Sequence, residues 1–274
     1  MPLSVALAAV AIGLLIIVML VGPFFVSDPT AQDLFQRLHG PTWVGHGQIH
    51  PFGTDQLGRD VLSRVVSGSR ISVLVASAGV AVSCLFGTLV GLLSGYYGGV
   101  VDEVAMRIVD AQLAIPFLLL AMTVVGLLGP SIPVVVVAML LATWVLFARL
   151  VRGEVLALRD RDFVVAARSL GATDFRILFV HILPNLLTPL MVLITLEVGD
   201  LILLEAALDF LGLGVGPPSS SWGQLISDGR AYLLAGAWWL TLFPGAAIVA
   251  TVLSVNILGD WMRSRFGTRS ELEL

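Results

Sequence analysis

The sequence predicts an all-α, polytopic membrane protein with six transmembrane helices. Three observations carry that prediction. Hydrophobic types make up 57% of the 274 residues, and Asp, Glu, Lys and Arg together only 12%, about half the charged share of a soluble domain. The mean hydropathy is +0.97. The apolar residues also fall in long uncharged runs, and a helix crossing the roughly 30 Å hydrocarbon layer needs about 20 of them.

The runs give the spans in order. Residues 1–27 carry no charged side chain, which places a first helix near 5–26. No basic segment precedes it, and its apolar stretch exceeds the roughly 7–15 residues of a signal-peptide core, so a retained helix is expected. The run 71–101 gives a span near 71–96. The run 111–148 is too long for one crossing at about 1.5 Å per residue. Gly129-Pro130-Ser131-Ile132-Pro133 breaks it, so spans are expected near 105–127 and 132–150. The runs 177–196 and 231–259 place the last two near 187–209 and 238–260.

Six spans put both termini on one side. With the termini inside, Arg107, Arg149, Arg152, Arg159, Arg161, Arg168, Arg176, Arg263, Arg265 and Arg269 lie inside. Arg37, Arg59, Arg64, Arg70 and Arg230 lie outside. That asymmetry favours cytoplasmic termini. The chain then divides into a first helix with its outer loop (1–70), a core (71–262) holding a cytoplasmic loop at 151–185, and a tail (263–274). A second outer loop covers 212–237.

Composition excludes several functions. All 15 basic residues are Arg, so no P-loop lysine, kinase lysine or Schiff base is possible in this chain. The formal charge of −4 argues against nucleic acid, which needs a basic face. Cys84 is the one cysteine, so no intrachain disulfide forms. His39, His46 and His50 lack a compact helical frame or cysteine partners, and no metal is expected. Neither Gly-x-Ser-x-Gly nor His-Glu-x-x-His is present, which leaves an intramembrane hydrolase without a constellation. A stand-alone channel or proton-coupled carrier is the remaining rival from another class.

In the cytoplasmic loop, Phe163, Ala166, Ala167 and Leu170 recur at helical spacing and are expected to share a face. Arg161 and Arg168 lie mostly elsewhere. Gly171 follows the periodic stretch, where a left-handed residue ends a helix. Thr173 or Asp174 then caps a second helix leading to Pro184. Such a short amphipathic helix lies on lipid or docks in a groove of a partner protein. Its small residues and lack of Trp suit a protein groove better.

These residues resemble the cytoplasmic motif of permease subunits in binding-protein-dependent ABC importers. Val165-Ala166-Ala167, Gly171 and His181-Ile182-Leu183-Pro184 carry the likeness. Val165 stands where Glu is usual, and His181 where Ile is usual. Other segments resemble the dipeptide/oligopeptide branch, C-type subunit. They are 50–64, with His50, Gly53, Asp55, Gly58, Arg59 and Asp60, then 210–218 with Pro217 and Pro218, Ser221-Trp222-Gly223, Phe243-Pro244-Gly245 and 256–260. Nickel and glutathione importers share them, and haem is a further candidate cargo.

The resemblance implies a type I ABC importer permease fold and a set of partners: a homologous second permease, two ATPase subunits or domains, an extracytoplasmic substrate-binding protein and the lipid of a prokaryotic cytoplasmic membrane. ATP and magnesium would be bound by the ATPases, with no cofactor in this chain and no catalysis by it alone. Arg161, Phe163, Ala166, Ala167, Leu170, Gly171 and Asp174 would couple to the ATPase. The outer motif, with Trp222, would either brace its loops or dock the binding protein.

Glu197 and Asp200 are three residues apart and project from nearly one face of the fifth span, with Glu205 nearer its outer end. Ionised groups inside a bilayer normally face a bundle interior or a wet pathway. Attraction of a cationic part of a passing peptide and a structural pairing with a neighbouring helix are both consistent with the pair.

Overall fold

Apolar runs in a lipid solvent must satisfy their own backbone groups, which only helices and closed barrels achieve. The computed structural model describes residues 2–42, 49–216 and 220–266. Ten α-helices occur among them, with no β-strand beyond a lone bridge between Thr54 and Asp60. The helices are α1 (Leu3–Val21), α2 (Val61–Tyr97), α3 (Gly99–Leu113), α4 (Phe117–Leu128) and α5 (Ile132–Leu158). After them come α6 (Asp162–Ser169), α7 (Asp174–Arg176), α8 (Leu183–Phe210), α9 (Trp222–Arg230) and α10 (Trp239–Phe266).

Among the described residues, five helical stretches are long and apolar enough to cross a membrane, and a sixth span exists if α3 and α4 are one broken crossing, bent by 88°. The single helix expected at 105–127 is therefore interrupted. Pro116 disfavours helical backbone at Ile115 and has no N–H to donate, and it stands as the residue before α4.

The second span begins at Val61 rather than near 71, so the expected boundary at 70 falls inside α2. Asp60 caps it, accepting the Ser63 amide at 2.7 Å. Charge counting ends a span at Arg70 and Arg64, but both guanidiniums are occupied. Arg70 donates to the Met19 and Leu20 carbonyls at the end of α1. Arg64 donates to the Asp55 carboxylate at 2.6 Å.

The core lies along α2, against α5 and α8. Gly87, Gly91 and Gly95 form a ladder at four-residue spacing on α2, which lets two backbones approach closely. A Cβ on Gly91 would lie 2.6 Å from the Ala148 carbonyl oxygen, and one on Gly95 2.8 Å from the Val155 Cβ. One on Gly87 would collide with the Trp144 carbonyl. Hydroxyls fill the same seam, with Thr143 donating to Ser83 at 2.8 Å.

α5 runs past the expected end at 150 to Leu158, and α7 continues through a π-helical segment, Ile177–Ile182, into α8. The expected cytoplasmic loop 151–185 is thus mostly helical, with short breaks at 159–161, before α6, and at 170–173, between α6 and α7.

Candidate functional site

The first part of the site is α6 and its turn. Asp162 in the first turn and Arg168 in the last complement the helix dipole. The helix ends in a Schellman motif. Ala172 donates to the Ala167 carbonyl at 3.1 Å and Gly171 to that of Arg168 at 3.0 Å. Gly171 has φ +81°, the left-handed conformation its position predicts. Thr173, not Asp174, caps the next helix, accepting from the Arg176 amide.

The expected shared face divides in two. Phe163, Ala166 and Leu170 are exposed, Leu170 by 88%. Ala167 is only 9% exposed and Val164 is fully buried, toward the π segment on which α6 rests. The three-residue spacing of Val164 and Ala167 makes them the inward stripe, which leaves Phe163, Ala166 and Leu170 as the outward one. The assignment of Ala167 to the outer face is therefore corrected. Arg161 is exposed and precedes the helix. Asp174 is turned to α2, where its carboxylate accepts from the Tyr96 hydroxyl at 2.7 Å.

The second part is the outer motif, which the fold buries. Asp55 is 1% exposed and accepts from four donors. They are the amides of Leu57 (2.8 Å) and Arg59 (2.9 Å), Arg59 Nε (2.7 Å) and Arg64 Nη1 (2.6 Å). Arg64 also donates to Ser220 at 3.1 Å and pairs with Asp228 of α9 at 3.5 Å. His50 contacts Asp60 through Nδ1 at 2.9 Å and Gln36 through Nε2 at 2.8 Å. Gly53 and Gly58 have φ of +78° and +72°, and a Cβ at Gly58 would strike the Asp33 carbonyl.

Trp222 is buried, with its indole N–H donating to the Val65 carbonyl at 2.9 Å. Phe52 stacks on Phe243 at 3.9 Å, and Trp239 donates to the Thr54 carbonyl at 3.1 Å. These contacts join both outer loops to the starts of α2, α9 and α10. They are the geometry of a brace. Pro217 and Pro218 lie outside the described residues.

The third part is the acidic face of α8. Glu197 is 6% exposed and Asp200 is exposed, and no hydrogen-bond donor reaches either among the described residues. The Asn256 amide of α10 packs on Gly199 between them, where a Cβ would lie 2.6 Å from Asn256 Oδ1. Glu205 differs. It is fully buried and accepts from Ser72 of α2 at 3.1 Å. Ser72 in turn accepts the Trp222 amide at 3.1 Å. Asp209 beside it takes the Val215 amide at 3.1 Å and the Ser221 hydroxyl. Glu205 therefore joins α8 to α2 and α9 and does not line a path, which corrects its place among the pathway candidates.

Sequence reasoning missed Arg64, Tyr96, Ser72 and Asn256. The first and last stand inside segments that carry the family likeness. Tyr96 lies near the end of an apolar run beside Tyr97, where neither ring gives a signal of its partner.

Residues 87–271 match the family model described as "Binding-protein-dependent transport system inner membrane component". The chain is 41% identical to the probable D,D-dipeptide transport system permease protein DdpC of Escherichia coli (strain K12), over 96% of this chain and 86% of that protein. It is also 41% identical to the dipeptide transport system permease protein DppC of Haemophilus influenzae, over 89% of this chain and 81% of that one. A solved structure of the MetNI methionine ABC transporter in inward-facing conformations superposes with a TM-score of 0.58 at 21% identity, covering 73% of this chain and 95% of that chain. At that identity the likeness is one of fold.

Proposed function

We propose a function that starts from kinship: the chain belongs to the family of binding-protein-dependent transport system inner membrane components. It is the permease subunit of an ABC importer in the inner membrane, and its cargo is a di- or oligopeptide. The names of relatives 41% identical over most of the chain support the peptide cargo. The observation that carries the importer mechanism is α6, a short helix between two long spans whose Phe163, Ala166 and Leu170 are exposed among the described residues.

In this reading α6 sits in a groove of an ATPase subunit, with Arg161 at the rim and Gly171 setting the exit of the chain. Two ATPase subunits or domains bind ATP and magnesium and supply the lysines this chain lacks. A homologous second permease completes the pathway and covers the α8 face on which Asp200 stands. The apolar exposed side of α1, with Leu7, Leu14 and Ile17, meets lipid. Both termini are cytoplasmic, as the arginine distribution favours. An extracytoplasmic binding protein delivers cargo to the rim of the outer brace. ATP-driven closure of the ATPases moves α6, and the spans switch between outward- and inward-facing states as rigid bodies.

Glu197 and Asp200 are the pathway residues of this reading. Asp200 is exposed in an apolar part of α8, and an ionised carboxylate facing lipid costs several kcal/mol. A wet path with passing ammonium groups avoids that cost.

The test is ATP-dependent uptake by the whole assembly in proteoliposomes, with di-, tri- and tetrapeptides, nickel complexes and haem as competitors. Competition by peptides alone is expected. Competition by nickel or haem without peptides would replace the cargo, and uptake without ATP would replace the mechanism.

A further inference from the structure

The turn after α6 is held from one point on another helix. The Tyr96 hydroxyl donates to Asp174 at 2.7 Å, and Arg168 Nη2 donates to the same hydroxyl at 3.3 Å. Arg168 lies before Gly171 and Asp174 after it, so one phenol spans both sides of the Schellman turn. The Arg168 guanidinium also stands 5.7 Å from the Tyr96 ring centroid. Tyr96 is largely buried, so its ring has a fixed direction. Next to it, Arg159 at the end of α5 donates to the Gly95 carbonyl at 3.0 Å. The bond to the Asp174 carboxylate is charge-assisted and short, whereas the one from Arg168, at 3.3 Å, is long and adds less.

Tyr96 closes the inner end of α2, a helix about 55 Å long at 1.5 Å per residue. The outer end of the same helix carries Arg64, bonded to both outer loops. Beside the apolar seat of Val164 and Ala167 on the π segment, this phenol, through Arg168, is the polar link between α6 and the spans among the described residues.

We propose that Tyr96 is a positioning residue for transport: it fixes the angle of α6 on α2, so that movement of α6 is passed to the spans instead of being absorbed in the glycine turn. The proposal rests on the reading that α6 docks on an ATPase. Loss of the hydroxyl leaves the helix seated by Val164 and Ala167 but free to pivot about Gly171. ATP hydrolysis then continues while less of it is converted into import.

The experiment uses the complete complex in proteoliposomes and measures ATP hydrolysed per peptide imported. Tyr96→Phe keeps the ring and its contact with Arg168 and removes the hydroxyl. A rise of about three- to tenfold in ATP per peptide is expected, with complex yield unchanged. Asp174→Asn keeps an acceptor for the hydroxyl and should show a smaller rise. The double variant should be no worse than Tyr96→Phe alone, because both changes break one link. An unchanged ratio in Tyr96→Phe, or losses that add in the double variant, would overturn the proposal. A separate arm tests its premise by cross-linking Leu170→Cys to the ATPase. No cross-link removes the docking reading and the proposal with it. A cross-link together with an unchanged ratio removes the proposal alone.

Discussion

Asp55 and Arg64 meet at 2.6 Å (Oδ2 to Nη1), and both side chains are almost wholly buried. One belongs to the first outer loop and the other to α2, and Arg64 continues to Ser220 and Asp228 of the second outer loop. Breaking a buried pair from one side strands the other charge and costs about 3–5 kcal/mol. Asp55→Asn and Arg64→Met are each expected to lower the melting temperature of the purified complex and the amount recovered from membranes. Arg64→Lys should recover only part of the loss, since one ammonium does not replace a fork that serves three partners. Wild-type melting of Arg64→Met would refute the brace.

The two faces of α6 should respond differently to charge. Leu170→Glu and Phe163→Glu place a carboxylate on the open face, so the complex should insert and melt normally while uptake falls at least tenfold. Ala167→Glu forces the same group against the π segment and should reduce the amount of folded permease instead. Fluorescence-detected gel filtration of the three variants, set beside uptake, separates the outcomes. Equal folding losses in all three would mean that the face assignment is wrong.

Close approach of α2 to α5 makes its glycines sensitive to a single methyl group. Gly91→Ala would overlap the Ala148 carbonyl oxygen, and overpacking of this kind costs about 1–3 kcal/mol. Gly126→Ala on α4, with nothing within 4 Å of the added carbon, should be silent. A thermal-shift comparison of the two in one detergent decides the matter.

For the acidic face of α8, the double change Glu197→Gln with Asp200→Asn should slow uptake of cationic peptides by severalfold more than that of acidic ones. Competition curves with lysine-rich and glutamate-rich tripeptides provide the measure. Uniform loss for all cargo, with poor assembly, would assign the pair to helix packing.

Much of this architecture was legible in the residues. Apolar runs located the five long spans, and Gly171 after a periodic stretch located the turn of α6 to the residue. Other features depended on partners far away in the chain. Arg64 reads as the end of a span until Asp55 is seen to neutralise it. Ala167 lies at the margin between two stripes of a helix only eight residues long, and only the neighbouring π segment decides its side. Glu205 reads as a pathway group until Ser72, 133 positions earlier in the chain, is found beside it. Pro116 stands inside the expected span 105–127, but a span drawn from the run of uncharged residues does not register a single proline.

The glycine ladder of α2 and the two anchored ends of that helix carry a consequence for heredity. Adding one residue between Arg64 and Tyr96 would turn one end against the other by about 100° and lengthen the rod by about 1.5 Å. No compensating point mutation restores such a twist. Insertions and deletions should therefore be purged from this stretch of the gene over evolutionary time, even where single substitutions are tolerated. The junctions at Gly99 and Gly129, where an added Cβ would meet nothing within 4 Å, are where lengths are free to drift.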